Sequence, residues 1–247
     1  MVDHADLRVR TGGYAILPAA IAVLQASTIP GSPPPFDDPG TLRSVYNGGN
    51  TLSRILALVI GIMSMGGEYR HKTMATTYLA TPHRFRVVAA KAVSLVIFGL
   101  IYGVFSVLAG FLVSMPFVII KKGSFFLQRG DTWRSLLLGV ISIALWTLIG
   151  MGIAILVRNM ILAMLIGIGF AYILEPTLSA VLFFKQWDTG LNLLPSGATN
   201  AMLGIQSPVL LASQHPWAWW QGVLVLAGWC LLPAILGAVF TVRRDVA

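Results

Sequence analysis

GIMSMGGEYRHKTMATTYLATPHRFRVVAAK, residues 61–91, is the stretch on which the reading of the chain turns. Oily sequence runs into it from both sides, while Arg70, Lys72, Arg84, Arg86 and Lys91 keep its middle on an aqueous face. It divides at Thr81-Pro82. Thr81 can accept a backbone N–H bond as an N-cap, and Pro82 in the first helical position lacks only an N–H that would be unpaired anyway. A helix is therefore expected to start there, pass Arg84 and Lys91, and become a membrane span. Upstream, Thr73 to Ala80 reads as about two helical turns with Met74 and Tyr78 at i and i+4. Alone it is too short to be stable, so it is expected to be held by its neighbours or by a partner.

The rest of the composition says what surrounds this segment. Of 247 residues, 56% are hydrophobic and 11% charged, too little polar surface to cover a water-soluble globule of this size. Lipid must be the solvent. A helix needs about 20 apolar residues to cross a hydrocarbon core of roughly 30 Å, and six runs qualify to differing degrees. The expected fold is an all-α integral membrane protein of six transmembrane helices in a single membrane domain, 1–247, with spans near 12–28, 50–67, 87–120, 135–157, 160–184 and 217–242. The first is short and carries Pro18, and with Arg8 and Arg10 ahead of it a secretory signal peptide is its rival reading. The second contains Arg54, which is expected to snorkel to the outer interface. Arg158-Asn159 alone separates the fourth and fifth, so those should form a tight antiparallel hairpin.

The formal charge of +8 invites a nucleic-acid reading, since basic patches attract phosphates. In a membrane chain, enrichment of Lys and Arg on cytoplasmic flanks explains it without nucleic acid. Six spans with both termini cytoplasmic place Arg8, Arg10, Arg70, Lys72, Arg84, Arg86, Lys91, Arg158, Arg243 and Arg244 inside, a majority of the 17 basic residues, although the 121–134 loop runs contrary. Trp133, Trp187, Trp217, Trp219 and Trp220 then fall at the outer boundary as an aromatic belt. Cys230, the one cysteine, lies within a span, so there is no disulfide framework.

Two connections stand out. Residues 29–50, rich in Pro and Gly, read as an irregular loop. Residues 185–216 hold Leu191, Leu194, Met202, Leu203 and Leu210, too oily for an exposed loop. Part of that stretch is expected to be re-entrant or interfacial, which is tolerated where helices or water satisfy its backbone, and Glu175-Pro176 is expected to mark where the fifth helix breaks toward it.

Catalytic motifs are lacking in the sequence. There is no GxxxxGK[ST] loop to cradle ATP phosphates, no HExxH, no GxSxG and no paired-cysteine metal spacing. No metal site or cofactor is expected in this chain, and no enzyme activity. Glu175 is the one acidic residue deep in an apolar run, and an intramembrane carboxylate is expensive enough to point to function. Counting at 1.5 Å per residue from Met160 places it roughly 22 Å up its helix, where it could cap a broken helix, act as a gate, or form a proton or substrate site. An enzyme built on it lacks a second catalytic group. Small residues four apart, Gly99 with Gly103, Gly150 with Ala154 and Ala163 with Gly167, let helices approach closely, more often within one subunit than between two.

The run Gly61 to Thr73, followed by Leu79-Ala80-Thr81-Pro82, Arg84 and Ala90-Lys91, resembles the permease subunits of ABC-2 type transporters. The likeness extends to Leu174-Glu175-Pro176, Leu194-Pro195-Ser196-Gly197 and Arg243-Arg244-Asp245-Val246. One departure is the stretch before the first span, Met1 to Thr11, shorter than the amphipathic elbow helix of that family. The resemblance implies a bacterial cytoplasmic-membrane exporter of a hydrophobic or amphipathic compound (drug, lipid, glycan or peptide). It implies a second permease subunit, homodimeric or heterodimeric, and a separate ATPase that binds ATP and Mg. Glu68, Tyr69, Arg70, His71, Lys72 and Thr73 would occupy the family's motif, with Met74, Thr77, Tyr78, Pro82 and Arg84 in and after its cytoplasmic coupling helix. Glu175, Pro176, Leu194 and Pro195 would match its exit gate or substrate path. The competing expectation is a membrane sensor or scaffold that binds a cytoplasmic regulatory partner through the same basic segment and moves no cargo.

Overall fold

A computed structural model describes residues 39–71, 84–120, 130–157, 159–205 and 217–244. Its elements in chain order are α1 (Pro39–Tyr46), α2 (Asn50–His71), α3 (Arg84–Ile120), α4 (Gly130–Val157), α5 (Met160–Gly169), a π-turn (Phe170–Leu174), α6 (Glu175–Phe184), α7 (Asp188–Leu193), α8 (Pro195–Leu203) and α9 (Trp219–Arg244). The described residues contain no strand. Among the described residues four stretches are long and apolar enough to cross a membrane: Leu42–Glu68, Val87–Pro116, Gly130–Val157 and Met160–Phe184. A chain so built is a membrane protein. The described apolar part of α9, Trp219–Pro233, is shorter. The expected first span at 12–28 and the helix expected over 73–80 lie outside the described residues, as does the Thr81-Pro82 cap.

Packing order follows from who touches whom. Asn47 reaches Ser135, Asn50 reaches Ser142, and Leu58 lies against Gly150, so α2 and α4 run in the same direction. Glu68 meets Lys91 and Ser53 meets Ser106, so α3 runs the other way. The unit α5–π–α6 also opposes α2, with Gly66 against Met160 and Gly167 against Leu58 and Ile62. Helix α9 runs with α4, Arg134 stacking on Trp219 at one end and Cys230 Sγ–H donating to the Leu145 carbonyl further along. Half or more of the residues in the α2 and α4 spans are buried, against about a fifth in the other two, so α2 and α4 are the centre of the bundle.

The α2–α4 contact is close because both helices place glycine there. A Cβ on Gly61 would lie 2.0 Å from the Thr147 carbonyl oxygen, and one on Gly150 would lie 2.0 Å from that of Leu58. Each glycine thus faces the carbonyl three residues before the other. All three small-residue pairs named from the sequence are consumed inside the chain. Gly99 abuts Ala144, Gly103 abuts Val140, Gly167 abuts Leu58, and Ala154 and Ala163 are buried.

The hairpin between α4 and α5 is as tight as expected. Asn159 Oδ1 accepts from the backbone N–H groups of Ile161 and Leu162 at 3.0 and 3.2 Å, which starts α5 immediately. The expected break at Glu175-Pro176 does not occur. Pro176 has no N–H to give the preceding turn, and the helix absorbs this by widening to the π-turn just before it, with Glu175 N–H bonded to the Phe170 carbonyl. The helix then continues to Phe184, and the chain reverses at Gln186, which adopts φ 52°.

After this reversal α7 and α8 form a short hairpin whose leucines and methionine, Leu193 apart, are buried. Leu191 and Leu194 pack with Leu182, while Met202 and Leu203 join the main core. Pro195 opens α8 and Gly204, at φ 63°, closes it in the left-handed conformation that glycine adopts without strain.

Candidate functional site

Arg54 does not snorkel to an interface. One turn into α2, it is 7% exposed and turned into the bundle, on the same side of α2 as Leu58 and Gly61, which meet α4. Its guanidinium carbon sits 5.6 Å from the centre of the Trp146 ring, within cation–π range. Nη2 donates to Thr51 Oγ1 at 3.3 Å, whereas Nη1 is enclosed and has no hydrogen-bond partner.

Glu175, 3% exposed, comes to the same place from the start of α6. Its Oε1 accepts from the Ser196 backbone N–H at 2.5 Å. That N–H is one of the orphan donors in the first turn of α8, where the helix dipole also favours a carboxylate. Glu175 is therefore the cap of a helix that begins 20 residues later in the sequence. The helix that it caps is not its own, which does not break, but α8.

Arg54 and Glu175 do not close into a direct ion pair; among the described residues the recorded pairs are Lys91–Glu68 and Arg134–Asp131. They face a common cavity of about 270 Å³, lined by Thr51, Arg54, Ile55, Trp146, Ala171, Glu175, Pro176 and Ser196. Isolated ions in such surroundings cost several kcal/mol each in lost hydration. The attraction of Glu175, the Trp146 face and one bond to Thr51 offset part of this for Arg54 and leave its fork incomplete.

Trp146 links the cavity to the hairpin. Its Nε1–H donates to Thr199 Oγ1 at 3.1 Å, and the Thr199 hydroxyl donates onward to the Pro195 carbonyl at 2.7 Å. Trp229 Nε1–H donates to the Leu193 carbonyl at 2.9 Å, and Ser135 Oγ–H to the Leu203 carbonyl at 2.7 Å. The backbone ends of α7 and α8 are thus satisfied by side chains of α4, α6 and α9, which is what allows such a hairpin to sit among apolar helices.

Of the four residues named as gate or path, the structure gathers Glu175, Pro176 and, through Ser196, Pro195 around the cavity. Leu194 instead packs with Leu182 and Leu191. Thr51 and Trp146 had no signal of their own in the sequence, and neither Arg54 nor Ser196 was named there as a site residue. A tryptophan and an arginine within spans were legible; that they share a face was not.

The second polar cluster is at the opposite end of α2. Lys91 Nζ donates to Glu68 Oε1 at 2.5 Å, joining α2 to α3, and Glu68 Oε2 has no partner. Tyr69 and His71 lie in the last turn of α2, Arg70 there is exposed, and Arg84 opens α3. Lys72, Thr73, Met74, Thr77, Tyr78 and Pro82 fall outside the described residues. No metal-binding group of His, Cys, Asp or Glu occurs among the described residues.

Comparison with protein-family models and with curated proteins finds no match.

Proposed function

We propose that this chain is the transmembrane permease subunit of an ABC-2 type exporter. In this reading it lies in a bacterial cytoplasmic membrane with both termini inside, crosses six times, and moves a hydrophobic or amphipathic compound. A second permease subunit and a separate ATPase carrying ATP and Mg complete the machine. The observation that carries the proposal is the Glu68–Lys91 pair. The most specific block of the resemblance runs from one of these residues to the other, and their contact brings the ends of that block together at one end of the bundle. Between α2 and α3 remain residues 72–83, which hold Met74, Thr77, Tyr78 and Pro82. In the proposed mechanism this segment is the coupling helix, and nucleotide-driven closure of the ATPase favours one helix arrangement over the other by population shift.

The test is co-purification with a P-loop ATPase encoded beside this reading frame, followed by ATPase assay in liposomes. ATP hydrolysis should depend on the permease. Met74→Asp with Tyr78→Asp should uncouple transport while the chain still inserts. Unchanged transport in that double variant would remove the coupling assignment. A partner that binds the segment and hydrolyses no nucleotide would favour the sensor or scaffold reading.

A further inference from the structure

Arg54 is a cation held nine-tenths buried inside an apolar bundle, beside a cavity, with an unsatisfied N–H. The carboxylate that shares the cavity with it is already engaged, Glu175 Oε1 being bonded to the α8 N-terminus. The charge balance around the cavity is accordingly tilted positive, since the helix N-terminus adds partial positive charge to the guanidinium. A planar guanidinium is suited to two parallel hydrogen bonds with a carboxylate or phosphate, and Arg54 has spent only one bond, to Thr51.

The mouth of the cavity indicates where an occupant comes from. Thr51 and Pro176 line it and are exposed, and beside Pro176 on the same helical unit Tyr172, Ile173 and Leu174 present apolar surface outward. The polar end lies inside and the greasy approach outside.

We propose that this cavity seats the oxyanion head group of a membrane amphiphile, bound by Arg54 over Trp146, with the apolar chain lying along the Tyr172–Leu174 flank. The site takes one singly or doubly charged oxyanion, such as the phosphate of a phosphatidic acid. Occupancy requires no nucleotide and no partner ATPase, so it is separable from the permease reading.

The test uses the full chain purified in a non-ionic detergent and followed by native mass spectrometry. Dioleoyl phosphatidic acid, dioleoylglycerol and inorganic phosphate are the three probes. One phosphatidic acid should be retained, and dioleoylglycerol should bind roughly tenfold more weakly, as expected when charge-assisted bonds are removed. Arg54→Gln should lose about tenfold in phosphatidic acid affinity, and Arg54→Lys, which keeps charge but not the fork, should fall between. Ile55→Trp, which fills the cavity while leaving Arg54 in place, should lose as much as Arg54→Gln; this guards against misfolding of the arginine variants. Glu175→Gln should bind phosphatidic acid at least as well as the parent, because it removes a nearby negative charge. The exposed Arg134→Gln should not alter binding.

Equal retention by parent, Arg54→Gln and Ile55→Trp would overturn the assignment. So would weakening by Glu175→Gln to the same degree as Arg54→Gln, which would mean a ligand with its own cation. Displacement of the lipid by inorganic phosphate at equal concentration would show a free oxyanion to be the ligand, and would likewise overturn the membrane source.

Discussion

Replacing Gly150 by alanine should force the two central helices apart by a predictable amount. The added Cβ would stand 2.0 Å from the Leu58 carbonyl oxygen, and ordinary contact begins near 3.4 Å, so the backbones must separate by about 1.4 Å along that line. Overpacking of this kind costs about 1–3 kcal/mol. Trp146 lies one turn before Gly150 and Arg54 one turn before Leu58, so the same displacement carries the 5.6 Å cation–π contact to about 7 Å, beyond its useful range. Gly61→Ala makes the mirror-image clash with Thr147 and demands the same separation. Once either substitution has opened the crossing, the second finds room already made. The double variant should thus cost clearly less than the two singles together, by about 1 kcal/mol, a coupling expected of sites that share one backbone shift. Equilibrium unfolding in mixed micelles of mild and denaturing detergent measures this, with a fourfold set of parent, singles and double. A Gly150→Ala variant within about 0.5 kcal/mol of the parent, or a double variant whose loss equals the sum, would refute the reciprocal-glycine account.

Glu175→Gln should destabilise by about 1–2 kcal/mol in the same assay, because the charged partner of the α8 N-terminus becomes neutral while its shape is kept; Glu175→Ala should cost more, and equal effects of the two would argue against a charge-dependent cap. Exchanging the half-buried pair as Glu68→Lys with Lys91→Glu should restore most of the stability lost by either reversal alone, since the geometry joins one residue of α2 to one of α3; a double variant as poor as the worse single would show that the pair does not act as a unit. The chain's one cysteine, Cys230, is buried and bonded to the Leu145 carbonyl, so it provides a quiet background for labelling. Arg70→Cys should react with a membrane-impermeant maleimide only after the inner face is exposed, and labelling of intact cells would place that end of α2 outside and remove the proposed ATPase contact.

The helices were legible in the sequence because lipid leaves a simple requirement, a long unbroken apolar run, and Gly130–Val157 and Met160–Phe184 meet it plainly. The Asn159 hairpin was equally readable from the two residues between those runs. Glu175 announced itself by being charged in an oily stretch. Arg54 did not, because an arginine near a helix end is indistinguishable in sequence from a snorkelling one. Which way it turns is decided by Gly61 and Gly150, residues on different helices whose meeting no local pattern encodes. The Glu175-Pro176 break failed for a related reason. Proline removes a donor, but whether the helix ends or widens depends on the packing of Phe170 against Trp229 and of Glu175 against Ser196, which are contacts made across the fold.

The way the α7–α8 hairpin is fastened also sets an order for its assembly. As the chain is synthesised, Ser135, Trp146 and Glu175 precede the hairpin, and Trp229 follows it. When Leu191 to Leu203 leave the ribosome, acceptors and donors for both ends of α8 are already in place, and only the carbonyl of Leu193 waits for a helix not yet made. The polar ends of the hairpin can consequently be tied before the last helix is threaded, while the face of α8 at Ala198 and Met202 is covered when Gly222 of α9 arrives against it.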